Sequence, residues 1–275
     1  MTDDLKGKRV LVSGSETGVG VGVARVFARY GADVVVHYAH DAKGAQTIRD
    51  EILAMGRRSE AFSADFNDLD QVSALADQAV QFLGGVDVLV NNAGVTMNRA
   101  FLDTTPQQFD TLFNINIRAM FFLTQTLAPG MIERGKGAVV NLSSVHTYHG
   151  LTEHSVYAAT KAAVMALTRT LGIELATQGV RMNAIAPGWI HVPNHDKVMG
   201  KIDMKAAAYD NPAGFIGQPE DVGELAAFLA SDRSRYAVAQ TYVLDGGQMS
   251  TMPFTGHFRE PTNAQFGADY VPNLE

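Results

Sequence analysis

The chain has 275 residues, enough for one large or two small domains with a sizeable core. Its net charge of −7 comes without a basic cluster, which excludes nucleic-acid binding as the main task, and the absence of cysteine excludes disulfides, thiolate catalysis and Cys-ligated metals. No apolar run approaches the roughly 18 residues of a membrane span, and Met1 to Lys6 lack the apolar core of a signal peptide; the expectation is a cytoplasmic protein with no membrane partner and no metal site.

Val10 to Ser13 reads as a short buried strand. Gly14-Ser15-Glu16-Thr17-Gly18-Val19-Gly20 follows, then a helical run from Val23 to Tyr30. A glycine-rich turn between strand and helix is either a plain tight turn or a cradle that lets backbone approach a pyrophosphate at the helix N-terminus. The second strand, Asp33 to Tyr38, ends in Tyr38-Ala39-His40 with no carboxylate before Asp41. Dinucleotide folds read the adenosine ribose at that strand end, an acid there favouring NAD. Its absence leans to NADP, while Glu16 in the glycine loop pushes the other way by like-charge repulsion. A helix spans Ala42 to Met55, and a strand spans Ser59 to Ser63. Asp65 beyond it either accepts from an adenine amino group or caps the next segment.

Leu69 to Leu83 is helical, Val86 to Val90 is the fourth strand, and Asn91-Asn92-Ala93-Gly94 closes it with small residues. Gln107 to Arg134 reads as one long helix interrupted in propensity by Asn114 and Asn116. An asparagine that disrupts its helix exposes a carbonyl for a water or a lysine. Gly137 to Leu142 is a buried strand ending in Ser143-Ser144, and a long amphipathic helix over about 155–178 carries Tyr157 and Lys161. Val180 to Ile185 is a strand ending in Ala186-Pro187-Gly188-Trp189-Ile190. Residues 191–217 read as irregular with short helical pieces, Pro219 to Ser231 as a helix, and Gln240 to Leu244 as a last strand before Asp245-Gly246-Gly247. Strands alternating with helices, with no linker or repeat, give an α/β fold: one domain with a doubly wound parallel sheet of about seven strands.

Tyr157 and Lys161 stand four apart and so share one helix face. A free tyrosine titrates near ~10, and a nearby cation favours the phenolate, which makes the pair a usable proton donor and acceptor for a carbonyl and its alcohol. Ser144, at a strand's carboxyl end, faces the crevice where open α/β sheets bind ligands and can hydrogen-bond a substrate oxygen.

Taken together and in order, Gly14/Gly18/Gly20, Asn91-Asn92-Ala93-Gly94, Asn116, Ser144, Tyr157, Lys161, Pro187-Gly188 and Asp245-Gly246-Gly247 resemble the classical short-chain dehydrogenases/reductases over about residues 7–250. The resemblance implies a Rossmann domain over 1–250, a substrate loop at about 191–217, a C-terminal extension over 251–275 and a homotetramer. It implies an NAD(P)(H) cofactor and a catalytic set of Asn116, Ser144, Tyr157 and Lys161. Tyr157 would be the acid–base group and Ser144 the orienter of the substrate oxygen. Lys161 would bind the nicotinamide ribose and lower the Tyr157 pKa, and Asn116 would hold a proton-relaying water. Cofactor contacts would come from Gly14, Ser15, Thr17, Gly18, Val19 and Gly20 in the loop. Tyr38, Asp65 and Phe66 would follow, then Asn92, Ala93 and Gly94, and finally Pro187, Gly188 and Ile190. The sequence departs from the pattern at Ser13, usually threonine; at Thr17, often basic in NADP-dependent members; and at Val192, often a threonine facing the nicotinamide.

Substrate choice falls to residues 145–155 and 191–215, which carry His146, Thr147, Tyr148, His149, Glu153 and His154, then His191, His195, Asp196 and Tyr209. So many hydrogen-bonding groups suit a small polyhydroxylated substrate better than a steroid or acyl chain. Ser143-Ser144-Val145-His146 also resembles the matching stretch of bacterial glucose 1-dehydrogenases. The expectation is a sugar or polyol substrate touching Ser144, His146, Tyr157 and Trp189. The rivals are a 3-ketoacyl-thioester reductase and a silent nucleotide-sensing protein. The tail, with Phe254, Phe258, Phe266 and Tyr270, folds over a neighbour or the active-site mouth, or stays disordered.

Overall fold

The computed structural model describes residues 4–252 and 257–259. Seven parallel strands form one sheet: β1 (Arg9–Val12), β2 (Asp33–Tyr38), β3 (Ser59–Ser63), β4 (Val88–Asn91), β5 (Gly137–Leu142), β6 (Val180–Pro187) and β7 (Thr241–Leu244), in the spatial order β3-β2-β1-β4-β5-β6-β7. The order reverses between β1 and β4, so a crevice opens beyond their carboxyl ends.

Strand alternation builds two cores from consecutive residues. Val10, Val12, Val34, Val36, Val88 and Val90 point to one face, which packs on α1 (Gly18–Arg29), α2 (Ala42–Ala54) and α9 (Pro219–Ala230). Leu11, Val35, Leu89 and Val139 point to the other, which packs on α3 (Leu69–Leu83) and α5 (Ala119–Glu133). Burial on both faces explains the continuous apolar strands.

Helix α1 begins five residues before the expected Val23, because Gly20 and Gly22 serve packing rather than break the helix. A Cβ on Gly22 would lie 2.3 Å from the Pro219 carbonyl carbon, so α1 and α9 meet backbone to backbone. The expected helix from Gln107 to Arg134 is three pieces: α4 (Pro106–Phe113), a π-helical turn (Asn114–Arg118) and α5. Between β5 and β6 runs α6 (Ser155–Ala176), and the 191–217 stretch holds α7 (Pro193–Met199) and α8 (Met204–Ala207).

No helix among the described residues is long and apolar enough to cross a membrane. Of the tail aromatics, Phe258 is described, and Phe254, Phe266 and Tyr270 lie outside the described residues. The described tail piece rests just after α8: the His257 ring stacks on Tyr209 at 4.6 Å, and Arg259 donates to the Tyr209 and Asn211 carbonyls at 3.3 and 3.4 Å.

Candidate active site

The crevice beyond β1 and β4 is a cleft of about 980 Å³. Its floor is made where two loops lock together. The Asn92 amide donates to the Ser13 and Gly14 carbonyls at 2.9 and 2.7 Å, and the Ser13 hydroxyl accepts from the amides of Asn92 and Ala93, both at 3.0 Å. Gly14 and Gly18 both adopt φ +62°, a region that glycine enters without strain. A Cβ on Gly20 would sit 2.2 Å from the Gly14 carbonyl oxygen, so Gly20 holds the loop close rather than touching a ligand. Thr17, Gly18 and Val19 line the cleft, and the start of α1 has no side-chain cap and no acid in its first turn. Open amides at a helix N-terminus fit a pyrophosphate.

Of the residues expected to contact a cofactor, Gly14, Asp65, Phe66, Asn92, Ala93, Gly94, Pro187, Gly188 and Ile190 line the cleft, as does Val192. Besides Gly20, two do not. Ser15 is fully buried beneath the loop, donating to the Val12 carbonyl at 2.8 Å and accepting from the His37 amide at 3.2 Å. Tyr38 packs into the core with Val34 and Val36, because alternate strand residues share a face; His37 and Ala39 take the cleft side instead. The N-cap of α3 is Asp68, and Asp65 caps the turn that precedes it. The Asp65 carboxylate accepts from the Asn67 backbone and side chain at 2.9 and 3.1 Å at the cleft wall.

His37, which sequence reading treats only as a strand residue, holds the loop to β2. Its Nδ1 accepts from the Gly14 amide at 2.8 Å, which places the ring proton on Nε2, facing the Ala64 carbonyl at 3.0 Å. The ring stacks on Phe66 at 4.5 Å. Burial pushes its pKa down from 6.5 to about 4. The unfolded chain therefore takes up a proton below pH 6.5 that the folded chain refuses until about pH 4. Stability from this residue is present above 6.5 and falls as pH drops toward 4, by ~1.4 kcal/mol per pH unit within that window. We expect His37→Gln to lose about one proton's worth of this slope in urea unfolding at pH 4.5 and 7; equal slopes in the variant and the parent would contradict it.

At the other end, β5 and α6 are tied reciprocally. Lys161 Nζ donates to the Leu142 carbonyl at 2.8 Å, and the Ser143 hydroxyl donates to the Lys161 carbonyl at 2.9 Å. Lys161 is 6 % exposed, and burial pulls its pKa down to about 8. Its ammonium lies 5.7 Å from the Tyr157 ring centroid. The expected lowering of the Tyr157 pKa does not appear: burial raises the phenol above its ordinary value, and the neighbouring Ser144 hydroxyl works against it without overcoming it. Desolvation of the phenolate is the larger effect here.

Asn116 is buried in the π-helical turn. Its Oδ1 accepts from the Val95 amide at 2.8 Å, and its Nδ2 donates to the Val95 carbonyl at 2.9 Å and to Thr160 Oγ1 at 3.0 Å. The amide thus clamps the loop after β4 onto α6. Gly94 sits in the angle: a Cβ there would lie 3.2 Å from Asn116 Oδ1 and 3.3 Å from Lys161 Nζ.

Over Tyr157 the cleft is lined by Ser144, His146, His149, His154, Trp189 and His195. The His146 ring lies 5.8 Å from the Tyr157 ring, edge to face, and 5.1 Å from the His154 ring. Burial and the neighbouring His154 lower the His146 pKa. Trp189 Nε1 donates to His195 Nδ1 at 3.4 Å. Tyr148, Glu153, His191, Asp196 and Tyr209 do not line the cleft; His191 pairs with Asp196 at 3.2 Å, and the Glu153 carbonyl, at φ +66°, accepts from the Arg99 amide at 2.9 Å.

A family model described as Enoyl-(Acyl carrier protein) reductase matches residues 14–249. The oxidoreductase UcpA of Salmonella typhimurium is 37 % identical over 258 residues, covering 90 % of this chain and 96 % of that protein. The 2-dehydro-3-deoxy-D-gluconate 5-dehydrogenase of Dickeya dadantii is 36 % identical over 251 residues, covering 90 % and 98 %. A 7α-hydroxysteroid dehydrogenase solved with NADH and 7-oxo glycochenodeoxycholic acid superimposes with a TM-score of 0.83 at 32 % identity, covering 89 % of this chain and 96 % of that one. A doubly wound parallel sheet with a glycine-loop cleft and a Tyr157/Lys161 wall defines a nucleotide-dependent oxidoreductase. The chain belongs to the short-chain dehydrogenase/reductase family. It interconverts an alcohol and a carbonyl with NAD(P), acting on CH–OH groups of a small molecule.

Proposed function

We propose that the substrate is a sugar or polyol and that Tyr157 exchanges the proton with its oxygen. The observation that carries the reading is the imidazole-rich wall facing Tyr157, with His146 and His154 5.1 Å apart and His195 joined to Trp189. Imidazoles both donate and accept, so several hydroxyls find partners there. The bound nicotinamide supplies or takes up the hydride.

In this reading Ser144 holds the substrate oxygen, and buried Lys161 holds the nicotinamide ribose. Both Nδ2 protons and one Oδ1 lone pair of Asn116 are engaged on Val95 and Thr160, so we assign the water relay to a main-chain carbonyl of its π-helical turn. The test is a panel of aldoses, polyols and ketoacyl esters, followed by reduced-nicotinamide absorbance. Turnover of aldoses or polyols is expected; turnover of ketoacyl esters alone would transfer the assignment to a thioester-type reductase. We also propose a homotetramer. Apolar Phe109, Phe122 and Ile173 stand exposed on α4, α5 and α6, Ile173 at 61 %. Light scattering should then give four times the 29.6 kDa chain mass.

A further inference from the structure

The adenosine end of the cleft is walled by Glu16, His37, Ala39, His40, Asp65 and Phe66. The end of β2 carries no acid of its own, yet the fold brings one there. The Ser15 amide donates to the His37 carbonyl at 2.9 Å, laying the glycine loop along β2. The next residue, Glu16, then reaches Ala39: its Oε1 accepts from the Ala39 amide at 3.2 Å. Its Oε2 is closed off from solvent and has no hydrogen-bond partner among the described residues. A desolvated carboxylate oxygen without a donor is held at a cost. Glu16 lines the cleft, so a turn of its side chain brings that oxygen to a ribose hydroxyl, and a hydrogen bond to an ionised acceptor is among the stronger kinds.

Charge decides between the two nicotinamide cofactors. Glu16 and Asp65 both line this end, and Lys161, at the opposite end, is the one Lys or Arg lining the cleft among the described residues. Arg25, which lines a neighbouring pocket with Glu16, Thr17 and Gly18, is held by Glu51 at 2.6 and 2.9 Å and faces Glu220 at 3.8 Å. His40 lines the wall, and Lys43 does not. A 2′-phosphate here would meet two carboxylates with no arginine or lysine to offset them.

We propose that Glu16 is the acceptor for the adenosine ribose hydroxyls and the residue that makes this enzyme prefer NAD over NADP. The proposal rests on the cleft being the nicotinamide-cofactor site, and it reverses the lean to NADP that the β2 end alone suggests. Calorimetric titration of the wild-type chain, Glu16→Gln and Glu16→Ser with NADH and NADPH tests it. Wild type should bind NADH at least tenfold more tightly than NADPH. Both variants should lose at least tenfold of that preference, with unchanged thermal midpoints. Tighter or equal binding of NADPH by wild type, or an unchanged preference in both variants, overturns the proposal. Binding of neither nucleotide by wild type would contradict the cofactor assignment itself, and the proposal with it.

Discussion

Tyr157→Phe is expected to lose about 10²–10⁴-fold in turnover, the range for removing a positioned general acid–base group. The substitution deletes one hydroxyl and keeps the ring, whose contacts with His146 at 5.8 Å and His154 at 6.1 Å are edge-to-face and need no oxygen. The fold should therefore stand. Cofactor affinity should stay within about twofold, since Lys161 is held by the Leu142 carbonyl rather than by the phenol. Loss of the rate with retention of binding separates an enzyme from a nucleotide-sensing protein, which has no turnover to lose. A variant within tenfold of wild type would remove Tyr157 from the chemistry.

Asn116→Ala is expected to damage both stability and rate. Three hydrogen bonds disappear, and the Val95 amide and carbonyl lose a partner at a part-buried joint while Thr160 Oγ1 loses one at a buried site. Each such loss costs about 1–3 kcal/mol. Allowing for water entering the gap, a net of about 3 kcal/mol lowers the thermal midpoint by roughly 6–12 °C for a chain of this size. The rate should fall as well, because the clamp sets the distance between Gly94 in the cleft wall and Lys161 on α6. Asn116→Asp keeps the acceptor for the Val95 amide but turns a buried carboxylate oxygen toward the Val95 carbonyl and Thr160 Oγ1, so its midpoint should fall at least as far as that of alanine. Calorimetric melts of the three proteins with rate measurements decide it. A midpoint for Asn116→Ala within 1 °C of wild type would show that the clamp contributes little.

What was legible in the sequence was whatever local order encodes. Alternating apolar strands and amphipathic helices gave the seven-stranded sheet. The Gly14/Gly18/Gly20 spacing, and Tyr157 one helical turn from Lys161, gave both ends of the cleft. Residues whose roles depend on a distant partner were not legible. His37 acts through the Gly14 amide 23 positions earlier; the charge of Glu16 was legible, but its reach to Ala39 23 positions later was not. Tyr38 was misplaced although strand parity was available: Val34 and Val36 are core residues, so 38 shares their face and 37 and 39 take the other. The π-helical turn was half-visible, as two asparagines in a poor helical context, but which atoms it would free or bind depends on Val95 and Thr160. The Tyr157 pKa shifted against expectation because spacing reveals a neighbouring cation and conceals the burial that raises the phenol against the opposing Ser144 hydrogen bond.

The central claim is that this cleft passes a hydride between a nicotinamide and a substrate carbon with Tyr157 as the proton partner. The most direct measurement is isotope transfer: reduced nicotinamide deuterated at C4 is mixed with a panel of ketoses and other ketones, and the products are read by mass spectrometry. The account predicts one deuterium bonded to the new carbinol carbon with the wild-type protein and none above background with Tyr157→Phe. A protein that binds the nucleotide yet leaves every carbonyl unlabelled, or a Tyr157→Phe variant that labels as fast as wild type, would contradict it.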